Sequence, residues 1–86
     1  MFYEYAELSD GTQVAYSDVL EDGTVEVSVE RPVDLGFDSA LCSVPSFEWA
    51  RVDGFSEEEM TMLDGFVHRN APLILRLARE VSRTFA

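Results

Sequence analysis

The sequence predicts an α+β domain in which an antiparallel sheet of four or five strands, beginning with a meander, carries two carboxyl-terminal helices on one face. Three observations support this class. Two Asp-Gly pairs separate strand-like runs, Val25, Val27 and Val29 alternate with polar residues, and an apolar helical repeat fills the last third of the chain. Because the chain has only 86 residues, it is expected to form a single domain over residues 1–86.

The amino-terminal half is predicted to form a three-stranded meander. Each Asp-Gly pair is typical of a tight hairpin turn, since both residue types tolerate positive φ. The turns separate a first strand at residues 2–8, a second at residues 13–20 and a third that contains the alternating valines. Pro32 is expected to end the third strand, and residues 33–36 to form a linker.

Two further short strands are predicted at residues 37–44 and 47–52, so that the sheet occupies residues 1–52. Pro45 separates them and belongs in a turn or at a sheet edge, because proline cannot donate to a strand ladder. Phe47 and Trp49 lie two residues apart and therefore share a face. We expect both rings to fill the space between the sheet and the helices.

The first helix is predicted at residues 56–69. Ser56 and Glu59 have the spacing of a capping box, and Phe55 and Met60 occupy the two positions of a hydrophobic staple. The apolar positions that follow recur at helical spacing, which predicts a stripe that packs on the sheet.

Pro72 interrupts the helical pattern, because its ring would clash with the carbonyl of His68 in a continuous helix at a cost of roughly 3 kcal/mol. Asn70 could cap a new helix, in which Pro72 would occupy the first turn. We therefore favour a second helix at residues 71–84 over one kinked helix. Its apolar side carries Ile74, Leu77, Ala78, Val81 and Phe85.

Composition argues against several classes of function. The chain holds 17 acidic residues against six arginines, a net charge of -11, which disfavours direct binding to nucleic acid. A single Cys42 cannot form an intrachain disulfide, and with His68 it cannot complete a zinc site. No signal peptide or membrane-spanning segment is recognisable, so we expect a cytoplasmic protein with no membrane contact, no metal and no cofactor.

The distribution of charge suggests a binding function. Residues 1–64 hold 16 of the 17 acids, whereas residues 65–86 hold four of the six arginines. An acidic sheet could dock on the basic surface of a protein partner, although acidic residues can equally serve solubility alone. The arginines of the last helix can likewise be ordinary surface residues paired with Glu80. The predicted partner-binding residues are Glu4, Glu7, Asp18, Glu26, Glu30, Arg76, Arg79 and Arg83.

Two alternative functions and the question of a homodimer remain open at this stage. The acidic strands could imitate the charge of a nucleic acid, with carboxylates at phosphate-like intervals. Cys42 and His68 are the only thiol and imidazole available to a minor hydrolase or transferase, but the position of Cys42 on a strand favours a buried, inert thiol. The apolar residues near the termini, Phe2, Tyr3, Tyr5 and Phe85, are expected to leave spare apolar surface that favours a homodimer, since a domain of this size gains only a few kcal/mol from one core.

The carboxyl-terminal third carries a resemblance to a known group. Residues 54–79 read GFSEEEMTMLDGFVHRNAPLILRLAR, with matching positions at Phe55, Ser56, Leu63, Phe66, Asn70, Ile74 and Ala78. This stretch resembles the tail of small uncharacterised bacterial proteins that combine a sheet with closing helices. The resemblance implies the architecture and an antitoxin-like role among cargo of mobile elements; it implies no active-site residue, because the matching positions are cap and core positions.

Overall fold

A computed structural model describes residues 1–84 of the chain. They form one five-stranded antiparallel sheet with the strand order β1-β2-β3-β4-β5, followed by one long helix, α1. The elements are β1 Phe2–Glu7, β2 Gln13–Ser17, β3 Val25–Val33, β4 Gly36–Val44, β5 Glu48–Asp53 and α1 Glu57–Thr84. The predicted α+β class and the opening meander are therefore confirmed, and the sheet has five strands.

The first two turns use the Asp-Gly pairs as predicted. Gly11 and Gly23 have φ angles of 88° and 86°. In each turn the aspartate side chain accepts a hydrogen bond from the backbone N–H two residues later, Thr12 to Asp10 and Thr24 to Asp22, both at 3.0 Å. This local hydrogen bonding fixes the chain reversal at each turn.

The third strand is longer than predicted. Pro32 does not end β3, because it pairs with Phe37 of β4 and the ladder continues to Val33 and Gly36. The pairing with β2 stops at Glu30, so the end of β3 has a neighbour on one side only. Proline is tolerated there because no strand requires its missing N–H. The expected linker is thus a tight hairpin turn.

The core lies between one face of the sheet and α1. The fully or almost fully buried apolar side chains of the sheet are Val14, Tyr16, Val25, Val27, Val29, Ala40, Cys42 and Val44, and those of the helix are Leu63, Val67, Ala71, Ile74 and Ala78. The helical positions are three or four residues apart, so they form one continuous stripe. Phe47 and Trp49 pack against the same core, as predicted.

The prediction of two helices is wrong: α1 runs without interruption through Pro72. His68 and Pro72 both lie on the exposed face of the helix, where water can reach the carbonyl that loses its partner. The buried stripe meanwhile continues through Ala71 and Ile74. Full burial of Ile74 alone contributes about 1.5 to 3 kcal/mol, which is comparable to the cost of the proline.

Three contacts hold α1 along its length, two of them to strands of the sheet and one to the loop between β2 and β3. The capping box is confirmed, since Ser56 N donates to Glu59 Oε1 at 2.9 Å and Glu59 N donates to Ser56 Oγ at 3.1 Å. Glu59 also forms an ion pair with Arg31 of β3. Further along, Asn70 accepts a hydrogen bond from a tyrosine of β1, and near the end Ser82 Oγ accepts one from the backbone N–H of Val19 at 2.9 Å.

The helix is long but amphipathic. Among residues 1–84, no helix has the length and continuous apolar character that a membrane crossing needs. Phe85, which we expected on the apolar side of the last helix, lies outside the described residues.

Candidate interaction surface

The face of the sheet opposite α1 is covered by no other element of residues 1–84. Alternation along β3 sends Val25, Val27 and Val29 toward the helix, and therefore Glu26 and Glu30 toward the opposite side. We call this uncovered side the open face. The pairing registers then define which residues of the other strands share it.

The open face carries six carboxylates and one arginine. Across the ladder, the residues that share it with Glu26 and Glu30 include Glu4, Glu7, Glu48, Arg51 and Asp53. Within residues 1–84, none of these six carboxylates forms an ion pair with another side chain. Their charge is thus not neutralised within the described chain.

The open face is low between β1 and β3 because two neighbouring side chains there are small. Ala15 of β2 pairs with Ser28 of β3. A depression of about 420 Å³ opens between β1 and β3 over this region. It is bounded by Phe2, Glu4, Gln13, Val14, Ala15, Ser28 and Glu30. A side chain from a partner could enter this depression and meet carboxylates on two sides.

Two aromatic rings flank the acidic area. Phe2 is 47% exposed and lies opposite Ser17, whereas Phe37 is 62% exposed and lies opposite Pro32. Both belong to the open face by strand alternation. Exposed aromatic side chains beside a charged patch are typical anchor residues of protein interfaces.

The structure brings together only four of the eight residues that we predicted for partner binding: Glu4, Glu7, Glu26 and Glu30. Asp18 follows the end of β2 and lies beside Tyr3, whose ring packs on Tyr16 with centroids 5.5 Å apart. The pKa of Tyr3 is raised, chiefly by the neighbouring Asp18 carboxylate. One oxygen of Asp18 is buried and has no hydrogen-bond partner in residues 1–84.

The three arginines of the predicted set are separated from the open face. Arg76, Arg79 and Arg83 are exposed on α1, which covers the other side of the sheet. Arg76 Nε lies 3.7 Å from the carboxylate of Glu80, one helical turn later. Such an exposed pair contributes at most a few tenths of a kcal/mol. The helix arginines and the sheet carboxylates thus do not form one site.

Three members of the open face were missed by the sequence analysis: Glu48, Arg51 and Asp53. The register of β4 with β5 shifts by one residue, because Leu41 pairs with Arg51 whereas Cys42 pairs with Trp49. This bulge places Glu48 on the same face as Arg51, although simple alternation separates them. The residue pattern of β5 contains no signal for the bulge.

Cys42 and His68 are each engaged in separate contacts. The Cys42 thiol is fully buried, 3.6 Å from the carbonyl oxygen of Ser43. Burial, together with the charge of Asp64, raises the pKa of the thiol to about 11. The exposed His68 ring stacks on Phe47 at 3.7 Å between centroids, and its Nδ1 lies 2.8 Å from the carbonyl oxygen of Asp64.

Asp64 also links α1 to the last strand, because the indole N–H of Trp49 donates to its Oδ1 at 3.0 Å. In the described part of the chain, no three His, Cys, Asp or Glu side chains are grouped so that they could hold a metal ion.

No protein-family model matches the chain. Comparison with curated proteins and with solved structures finds no significant similarity.

Proposed function

We propose that this chain is a non-catalytic binding module that docks its open face on the basic surface of a protein partner, in the manner of an antitoxin or a small inhibitor. One observation carries the proposal. Glu4, Glu7, Glu26 and Glu30 share the uncovered side of the sheet and form no ion pair within residues 1–84. A basic partner would supply the missing counter-charges and would be attracted over a distance.

The dimensions of the open face support a specific contact. Five strands spaced about 4.8 Å apart span about 20 Å, and their mean length of seven residues corresponds to about 24 Å. The resulting area of about 500 Å² is more than half of the roughly 800 Å² that each partner contributes to a standard interface. The aromatic rings of Phe2 and Phe37 would add buried apolar area at two corners.

The test compares two variants that lose the same amount of charge. The open-face variant carries Glu4→Gln, Glu7→Gln, Glu26→Gln and Glu30→Gln. The matched control carries Glu21→Gln, Asp34→Asn, Glu57→Gln and Glu58→Gln, which lie in turns or in the first turn of α1. Each tagged chain is used to isolate a stoichiometric partner from the native host, and the identified partner is then purified.

Affinity for the purified partner is measured by titration calorimetry at two salt concentrations. We expect the parent and the control to bind equally within about threefold, and the open-face variant to bind at least tenfold more weakly, the equivalent of about 1.4 kcal/mol. The salt dependence should also be smaller in the open-face variant. Equal weakening in both variants, or failure to find a stoichiometric partner, would contradict the proposal.

Imitation of nucleic-acid charge is a second candidate, favoured by the position of Glu26 and Glu30. Both lie on the open face of β3 four residues apart, which places them about 13 Å from each other along the strand. Phosphates of one DNA strand rise about 3.4 Å per step along the helix axis and also turn around it, so this through-space distance corresponds to about two nucleotide steps. A mimic must compete with duplex DNA for its partner, and Glu26→Gln with Glu30→Gln should abolish the competition. Simultaneous binding of DNA and this chain would exclude mimicry.

A homodimer is a further proposal, supported by exposed apolar side chains. Tyr3 and Tyr5 are partly buried against the core, so they do not contribute the free surface that we expected. Phe2, Leu35 and Phe37 remain exposed. Light scattering at micromolar concentration is expected to give twice the monomer mass, and a value of 9.7 kDa would contradict dimerisation.

A further inference from the structure

A second hollow lies on the helix side of the sheet, between the first half of α1, the β1–β2 turn and β3. Its volume is about 400 Å³, within the range of pockets that hold small molecules. Most of its lining is apolar and comes from Leu8, Phe55, Met62, Leu63 and Phe66. Met62 is 73% exposed, so its flexible side chain can adapt to an occupant.

Gly65 forms part of the wall of this hollow, and its position within α1 is otherwise unexplained. A glycine in a helix interior costs about 0.5 to 1 kcal/mol relative to alanine. Close approach of another backbone would account for it, but a Cβ atom at Gly65 would meet only Nη1 of Arg69, at 3.2 Å. The absence of a side chain at this position instead keeps the hollow open. A large residue here would project into the space.

The two arginines at the hollow differ in whether they already have hydrogen-bond or ion-pair partners. The Arg31 guanidinium is saturated: it forms hydrogen bonds with Asp38 and Glu59 and lies 4.7 Å from the centroid of the Phe55 ring. Arg69, on the helix wall, forms no hydrogen bond or ion pair within residues 1–84. It is therefore the cation that an anionic ligand could engage.

The carboxylates of the hollow limit the charge that a ligand can carry. Glu59 is held by Arg31 and by the backbone of Ser56, and Asp10 accepts a hydrogen bond from Thr12. Both carboxylates would repel a second negative charge placed near them. A ligand with one carboxylate, directed toward Arg69 and away from Glu59 and Asp10, avoids this repulsion.

We propose that this hollow binds a small monocarboxylate with an aromatic or branched apolar body. The body would lie against Phe55, Leu63 and Phe66, and the carboxylate would pair with the Arg69 guanidinium, whose planar donors fit two oxygens. The site is on the opposite side of the sheet from the open face. It therefore stands independently of the proposed partner-binding function.

The experiment titrates the full chain with two probes of nearly the same shape, 3-phenylpropionate and its uncharged amide, at millimolar concentrations. Amide chemical shifts of the labelled protein report the binding site. We expect saturable shifts confined to residues around the hollow and about two- to fivefold tighter binding of the carboxylate, because Arg69 is exposed to solvent. Absent shifts, or shifts scattered over the surface, would overturn the proposal.

Two variants test whether the charge of Arg69 causes the preference for the carboxylate probe. Arg69→Gln should remove the preference for the carboxylate but leave binding of the amide unchanged. Arg76→Gln, which loses the same charge from an exposed position further along α1, should preserve the preference. If Arg69→Gln weakens both probes equally, or if Arg76→Gln has the same effect as Arg69→Gln, the assignment of Arg69 is wrong.

Gly65→Leu tests the volume of the hollow. The variant should remain helical by circular dichroism and should lose both probes, because the leucine side chain would fill the hollow. Unchanged affinity in Gly65→Leu would overturn the proposal. Should Gly65→Leu fail to fold, the Arg69→Gln comparison still decides the question.

Discussion

The hydroxyl of Tyr5 on the edge strand β1 donates a 2.6 Å hydrogen bond to Oδ1 of Asn70 in the middle of α1. The Nδ2 group of Asn70 donates to the carbonyl oxygen of Phe66 at 2.8 Å. The rings of Phe66 and Tyr5 pack edge to face, with their centroids 6.3 Å apart. Both ends of the Asn70 amide are therefore used. Asn70 fastens the helix to the sheet and is not available to cap a new helix at Pro72.

Tyr5→Phe tests the energetic value of this link. The change removes only the hydroxyl group and leaves Oδ1 of Asn70 without its donor, so the free energy of unfolding should fall by about 1 kcal/mol. Asn70→Ala should also destabilise the protein. If the two groups interact, the double variant should lose less than the sum of the single losses, by about 0.5 to 1.5 kcal/mol. Urea unfolding gives the free energy of unfolding of the parent, the two single variants and the double variant. Strictly additive losses would contradict an interaction between Tyr5 and Asn70.

Pro72→Ala should stabilise the protein. Alanine restores the backbone N–H that can donate to the carbonyl of His68, and it removes the steric clash inside α1. The unfolded chain also gains freedom when proline is removed, which offsets part of the gain. We therefore expect the free energy of unfolding to rise by about 1 to 2 kcal/mol.

The control for Pro72→Ala is Leu73→Ala, at the adjacent exposed position of the same helix. It leaves the backbone hydrogen bonds intact and should change stability by no more than about 0.5 kcal/mol. Urea unfolding monitored by circular dichroism gives both values. A Pro72→Ala protein that is less stable than the parent would mean that the proline is required at this point of the helix.

These contacts explain which parts of the fold the sequence could predict. Turns and caps depend on neighbouring residues, so Asp10 with Gly11, and Ser56 with Glu59, were recognisable from spacing alone. The continuity of α1 depends on Tyr5, which is 65 residues from Asn70 along the chain. Local propensity at Pro72 favoured a break, and long-range contacts and the buried stripe overrode it.

The candidate surface shows the same limit. Alternation along β3 was sufficient to place Glu26 and Glu30 together, because that strand pairs regularly over its length. The face of Glu48 depends on a bulge in β5, which only the pairing register reveals. The hollow beside Gly65 requires three separate segments to meet, so no local pattern could predict it.

The ion pair between Arg31 and Glu59 predicts a loss of stability in acid. The Arg31 guanidinium, with the backbone hydrogen bond at Ser56, lowers the pKa of Glu59 from 4.5 to about 2. A carboxylate with a lowered pKa in the folded state contributes stability above its unfolded pKa, and this contribution disappears as the pH falls from about 4.5 toward 2. The parent protein should therefore lose more stability than Glu59→Gln over this range.

Thermal unfolding of both proteins between pH 7 and pH 2 provides the measurement. The difference in Tm should be greatest at neutral pH and should shrink steadily below pH 4.5. Glu58→Gln, which removes the adjacent carboxylate of the same helical turn, should cost less at neutral pH because this residue forms no ion pair with the sheet in residues 1–84. A constant difference between the parent and Glu59→Gln across the range would show that the ion pair contributes nothing.

The buried thiol of Cys42 predicts slow chemical modification. Its pKa of about 11, compared with 9.0 for an ordinary thiol, lowers the thiolate fraction near neutral pH about a hundredfold. Full burial hinders access further. Iodoacetamide should therefore label the folded protein at least a hundredfold more slowly than the chain unfolded in urea, as measured by mass spectrometry over time. Labelling of the folded protein at the unfolded rate would instead favour Cys42 as a nucleophile and would contradict the non-catalytic proposal.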